Sequence, residues 1–139
     1  MRKGIIFLCW LAAIGWMGGI FYSSCLEKQD VPGVGTLMPD YVNHGASYLV
    51  LAFLLFLAWQ RTWRSSFTIA FGMIVGWCLL FGLGMEFAQK YLTTTRTFSL
   101  WDLLADGVGP ALLFLVLLAL QKAGDKWRRI YSLLEGIRS

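Results

Sequence analysis

Three groups of polar residues in this 139-residue chain are spaced to act together. Asp40, His44 and Tyr48 recur every four residues, Glu86 and Gln89 stand three apart, and Asp102, Asp106 and Gly109 follow i, i+4, i+7. On a helix each group shares one face. His44 is the sole histidine, and an imidazole is the side chain that takes up and returns a proton near neutral pH. The chemistry this suggests is that of a membrane-embedded transferase or hydrolase, an alternative to binding alone, with His44 as the proton shuttle, Asp40 one turn away to orient it, and Glu86 or Asp102 as the second acid or base. Arg96, in the short "TTTRTF" segment, is the natural counter-charge and would hold a phosphate or carboxylate. The candidate ligand-binding set is therefore Asp40, His44, Tyr48, Glu86, Gln89, Arg96, Asp102 and Asp106, and any catalytic role falls on His44, Glu86 or Asp102. A divalent metal held by His44, Glu86, Asp102 and Asp106 is an alternative, although no characteristic ligand spacing supports it. Ser99 could be a nucleophile but lies outside any recognisable motif; it reads better as the cap of the next helix, with Asp102 three residues on. The plainest alternative is that all these groups are glue between helices, which is worth only about 0.6 kcal/mol per bond in a membrane.

The elements that must position them come from composition. Hydrophobic residues make up 58% of the chain and charged residues 14%, against about 25% charged in a soluble domain. Residues 4–22, 41–59 and 67–85 contain no Asp, Glu, Lys or Arg, and 103–120 contains only Asp106. Each is near the ~20 residues a helix needs to cross the hydrocarbon core. The expectation is an all-α integral membrane four-helix bundle over residues 1–121, with spans at about 4–24, 40–59, 66–91 and 100–121, followed by a tail at 122–139. Nothing alternates as barrel strands would. The first apolar run follows Arg2 and Lys3 and ends in Ser23, Ser24 and Cys25, but it exceeds a typical signal core, so we read it as an uncleaved span. In the tail, Trp127, Ile130, Tyr131, Leu134 and Ile137 recur at helical spacing, which fits an amphipathic helix along the membrane surface.

Orientation follows from the cations. With alternating spans, nine Lys and Arg fall on the side of the termini and the second loop, and Lys28, Lys90 and Arg96 on the other. The positive-inside rule puts both termini in the cytoplasm. Trp59, Trp63 and Trp127 then suit an inner aromatic belt, and Tyr91 and Trp101 an outer one. All three polar groups end at the outer membrane face, and lipid-facing carboxylates cost at least ~2.5 kcal/mol each, so they should turn toward one another and line an outward-facing chamber. The inner halves of the spans are almost wholly apolar, which disfavours a through-going ion path. The net charge of +4 is mostly a topology signal; no basic, aromatic-interleaved surface for nucleic acid is present, and no cofactor motif is found. Cys9, Cys25 and Cys78 sit at three depths and make no obvious pair. Gly15 with Gly19 and Gly72 with Gly76 are small-x3-small pairs expected to pack against neighbouring helices of the same subunit. The sequence leaves the oligomeric state open.

The residues "YSS" at 22–24, the D-x3-H-x3-Y of Asp40, His44 and Tyr48, the E-x2-Q of Glu86 and Gln89, and the R-x2-S-x2-D-x6-G of Arg96, Ser99, Asp102 and Gly109 resemble the VanZ-like family of membrane proteins, named after a protein associated with teicoplanin resistance. The likeness runs from about residue 20 to 115 and keeps order and approximate spacing. Tyr41 stands where the family commonly has Lys, and Asp106 where it has Asn, which adds an acid inside the chamber that must be neutral or compensated. The resemblance implies a cell-envelope role at the outer side of the cytoplasmic membrane. Its expected partners are membrane lipid, a lipid-linked cell-wall intermediate or a glycopeptide, and antibiotic resistance is the phenotype; it brings no established reaction.

Overall fold

The computed structural model describes the backbone of residues 2–25, 40–63, 65–94 and 96–136, and the side chains of 3–25, 41–63, 65–94 and 96–126. It consists of four helices, α1 (Arg2–Cys25), α2 (Asp40–Thr62), α3 (Phe67–Leu92) and α4 (Leu100–Gly136). All four are long and apolar enough to cross a membrane. Helices are the open-chain solution in hydrocarbon, because every backbone N–H and C=O must find its partner within the segment. The helix ends fall where polar side chains can finish the ladder. Ser66 accepts from the Ile69 amide at the start of α3, the Thr93 hydroxyl donates to the Gln89 carbonyl at its end, and Ser99 accepts from the Asp102 amide at the start of α4. Ser99 is thus the cap that its place before Asp102 suggested.

The helix ends lie within three residues of the expected span bounds at seven of eight places, and the exception is informative. α4 runs without interruption through the segment read as a separate tail, for 37 residues in all. At 1.5 Å per residue that is about 55 Å, well beyond a ~30 Å hydrocarbon core. The tail side chains from Trp127 onward lie outside the described residues.

Contacts set the topology. The Trp10 indole at the start of α1 donates to Thr62 at the end of α2, and Trp16 donates to the Ser47 carbonyl further along α1, so these helices are antiparallel. Gly45 of α2 meets Ala105 and Gly109 of α4, so those two run parallel. α3 is antiparallel to α4, with Phe67 near Phe114 and Gly82 near Asp106. α2 touches all three other helices, while α1 packs on α2 and α3 but not α4. α1 is therefore a peripheral buttress; most of its large apolar side chains face outward, as in lipid they can at no cost.

The buried core includes Ile20, Tyr48, Leu51, Leu55, Phe71, Ile74, Cys78, Met85 and Leu113. On α3 one buried stripe, Phe71, Ile74, Cys78, Gly82, Met85, Glu86 and Gln89, begins aromatic and ends polar. The glycine pairs depart from expectation. A Cβ at Gly15, Gly19, Gly72 or Gly76 would meet nothing within 4 Å, so these pairs do not seat helices within the subunit. The close approach occurs at Gly109, where a Cβ would land on the Gly45 carbonyl of α2, and at Gly82, where it would strike the Asp106 carboxylate. The three cysteines are free, as their three depths suggested.

Candidate functional site

Because Gly45 and Gly109 let the backbones of α2 and α4 touch, His44 beside Gly45 and Asp106 one turn before Gly109 are pressed together. Asp106 on α4 reaches His44 on α2, with Oδ1 2.9 Å from Nδ1. Sequence spacing pointed to Asp40 as the group orienting His44; among the described residues its partner is Asp106, 62 residues on. The side chain of Asp40 lies outside the described residues. The acid at position 106 thus has the imidazole as its hydrogen-bond partner. Tyr48 lies beneath His44 with parallel rings, centroids 6.4 Å apart, fully inside the core. It is expected among the ligand contacts but is not part of the lining of the α2–α4 cleft described below.

Glu86 on α3 is fixed from the α3–α4 connection, where Oε2 accepts the Ser99 backbone N–H at 2.6 Å. The exposures are 8% for His44, 0% for Glu86, 2% for Gln89 and 0% for Asp106, so this is a desolvated cluster. His44, Glu86 and Asp102 each bring one donor atom within 4.8 Å of the others; Asp106, the fourth member of the metal set considered above, stands behind His44 and outside that group. All these residues lie at the same height. His44 and Asp102 are within two turns of their helix starts, and Glu86 and Asp106 each lie six residues, about 9 Å, inside the nearer end.

In front of the cluster a cleft of about 1130 Å³ opens, with walls mainly from α2 and α4. Its lining changes along its length. Its polar side chains, Gln89, Arg96, Thr97, Ser99 and Asp102, gather at one end beside Tyr41, Val42 and Trp101, and Ala46, Leu49, Ala105, Val108 and Leu112 form the other. Leu112 is ten residues further along α4 than Asp102, about 15 Å deeper. The site therefore has two layers. Gln89, Arg96 and Asp102 line the cleft, whereas His44, Tyr48, Glu86 and Asp106 sit behind it, and Asp102 belongs to both.

Not every buried polar atom is satisfied by protein. Among the described residues Tyr48 OH, Glu86 Oε1, Gln89 Nε2 and Asp106 Oδ2 have no hydrogen-bond partner. Each unmet group of this kind costs about 1–3 kcal/mol, and all four occur at this end of the bundle.

Sequence reasoning missed Gly45, Gly82 and the Ser99 amide. Gly82 carried a readable signal, since it precedes Glu86 by four residues on one helix face. The Ser99 amide carried none, because a backbone donor has no residue type. No protein-family model, no curated protein and no solved structure matches the chain.

Proposed function

We propose that this chain is a VanZ-like integral protein of the cytoplasmic membrane, with both termini inside, that takes an amphiphilic envelope ligand into the α2–α4 cleft from the outer face. The ligand class is a lipid head group with its chain, a lipid-linked cell-wall intermediate or an amphiphilic glycopeptide. Altered teicoplanin-type resistance would follow from sequestering such a molecule. The single observation that carries this reading is the grading of the cleft, polar at Arg96, Ser99 and Asp102 and apolar at Leu49, Val108 and Leu112. That is the profile of a molecule with a charged head and a hydrocarbon tail. Arg96 suits an anionic head, because a guanidinium forms paired hydrogen bonds to phosphate or carboxylate.

Inter-helix glue is the reading from another class, and the His44–Asp106 and Glu86–Ser99 bonds favour it. It leaves Glu86 Oε1 and Gln89 Nε2 unexplained, which is why we place it second. The discriminating experiment titrates a fluorescent polyprenyl phosphate, and separately teicoplanin, into the full chain in detergent. Saturable binding is expected, weakened at least tenfold by Arg96→Gln and by Val108→Trp, which fills the apolar half. Absence of saturable binding, or equal binding by both variants, overturns the reading.

A further inference from the structure

The buried cluster behind the cleft has the anatomy of a metal centre. His44 offers two ring nitrogens, and Nδ1 faces Asp106 Oδ1 at 2.9 Å, which leaves Nε2 as the available donor. A carboxylate on the far nitrogen is the usual companion of a metal-bound imidazole; it holds the proton on one nitrogen, aims the lone pair of the other and raises its basicity. Glu86 is held in the same way. Its Oε2 is fixed by the Ser99 amide, while its Oε1, on a residue with 0% exposure, has no partner. Gln89, one turn along α3 and 2% exposed, has an Nε2 with no hydrogen-bond partner among the described residues. Asp102 completes the set within 4.8 Å and lines the cleft, so an ion has a way in.

We propose that His44, Glu86 and Asp102 bind one divalent ion of the first transition series, zinc by preference, with Asp106 positioning His44 and with open coordination toward the α2–α4 cleft. Three protein ligands and an open place are the pattern of reactive rather than purely structural zinc sites. Metal–ligand distances of about 2.0–2.2 Å put tetrahedral donors about 3.3–3.6 Å apart, so donors standing at the 4.8 Å limit of the trio would close by up to about 1.5 Å on loading. The imidazole disfavours magnesium and calcium, which prefer oxygen alone, and the lack of thiolate in the trio disfavours copper(I). Charge points the same way. Glu86, Asp102 and Asp106 set three carboxylates against one imidazole, and even with Arg96 on the cleft wall a dication suits such a desolvated acidic group. This inference goes beyond the ligand reading and does not require it.

The test uses tag-free, full-length protein in detergent, stripped with a chelator and titrated with Zn²⁺ against a chromophoric competitor, then with Co²⁺ followed by its visible spectrum. One ion per chain is expected. Glu86→Gln and Asp102→Asn should each lower affinity at least tenfold, and Asp106→Asn by about 10–100-fold. A rise in the unfolding temperature of the unaltered protein with Zn²⁺ gives a second readout that needs no variant. The proposal is overturned if the unaltered protein takes up no zinc and is not stabilised by it, or if folded, monodisperse Glu86→Gln and Asp102→Asn chains bind as tightly as it does. Polyprenyl phosphate titrated into the same stripped protein reports on the cleft separately, so the two readings fail independently.

Discussion

Where α2 hands over to α3, Phe56, Phe67, Phe71 and Phe114 pack with ring centroids 4.8 to 5.7 Å apart, and Trp10, Trp59 and Trp63 close the rim. The Trp10 and Trp59 indoles donate to Thr62 and Ser65. At the opposite end the rings of Phe87, Tyr91 and Phe98 pack on the outside, while His44, Glu86, Gln89 and Asp106 take the buried positions, and every unpartnered buried side-chain atom among the described residues lies there. Both ends hold helices together, but only the aromatic one is complete in itself. Rings satisfy one another by contact alone, whereas ionisable groups removed from water need a counter-charge and a full set of hydrogen bonds. A bundle needing only cohesion could repeat its aromatic end twice. Carboxylates from α3 and α4 and an imidazole from α2 converge at one end, and the ligand or ion proposed above would complete it.

The contrast can be broken most sharply at the His44–Asp106 pair. His44→Phe leaves Asp106 buried and uncompensated, and should cost about 3–5 kcal/mol, as breaking a buried pair does. His44→Phe with Asp106→Ala removes both partners and should recover most of that loss, read as thermal unfolding in detergent. Next comes the helix crossing that creates the polar end. Gly109→Val drives a side chain into the Gly45 carbonyl and should cost about 1–3 kcal/mol or more. Gly76→Val, which meets open space, is its near-neutral control; a comparable loss of folded yield in both would refute the crossing described here. At the aromatic end Phe71→Leu nearly conserves volume and should stay below about 1.5 kcal/mol with no effect on metal or amphiphile binding. The smallest effect is expected for Trp10→Phe, which deletes the bond to Thr62 at about 0.6 kcal/mol. If that change instead impairs ligand binding at the far end, the two regions are coupled and the comparison needs revising.

Much of this was legible in the sequence. Hydropathy identified four helices because lipid demands long uninterrupted apolar runs, and periodicity brought His44, Glu86, Gln89 and Asp102 to one height because 1.5 Å per residue is a fixed ruler. Which acid pairs with His44 was not legible. Asp40 is nearer in sequence, yet the partner depends on how α2 and α4 are rotated against each other, a matter of two glycines on different helices. The open faces of Gly15, Gly19, Gly72 and Gly76 make the same point, since a small-x3-small pair permits a close contact without naming the neighbour.

By itself, then, the amino-acid sequence determined the solvent, the number of spans and the inventory of polar groups at one end, because those follow from local transfer energies and helix geometry. The tertiary structure alone decided the pairing of His44 with Asp106, the seating of Glu86 on the Ser99 amide and the division into a buried cluster and an amphiphilic cleft. Those depend on contacts between residues distant in the chain, and backbone approach at Gly45, Gly82 and Gly109 sets them.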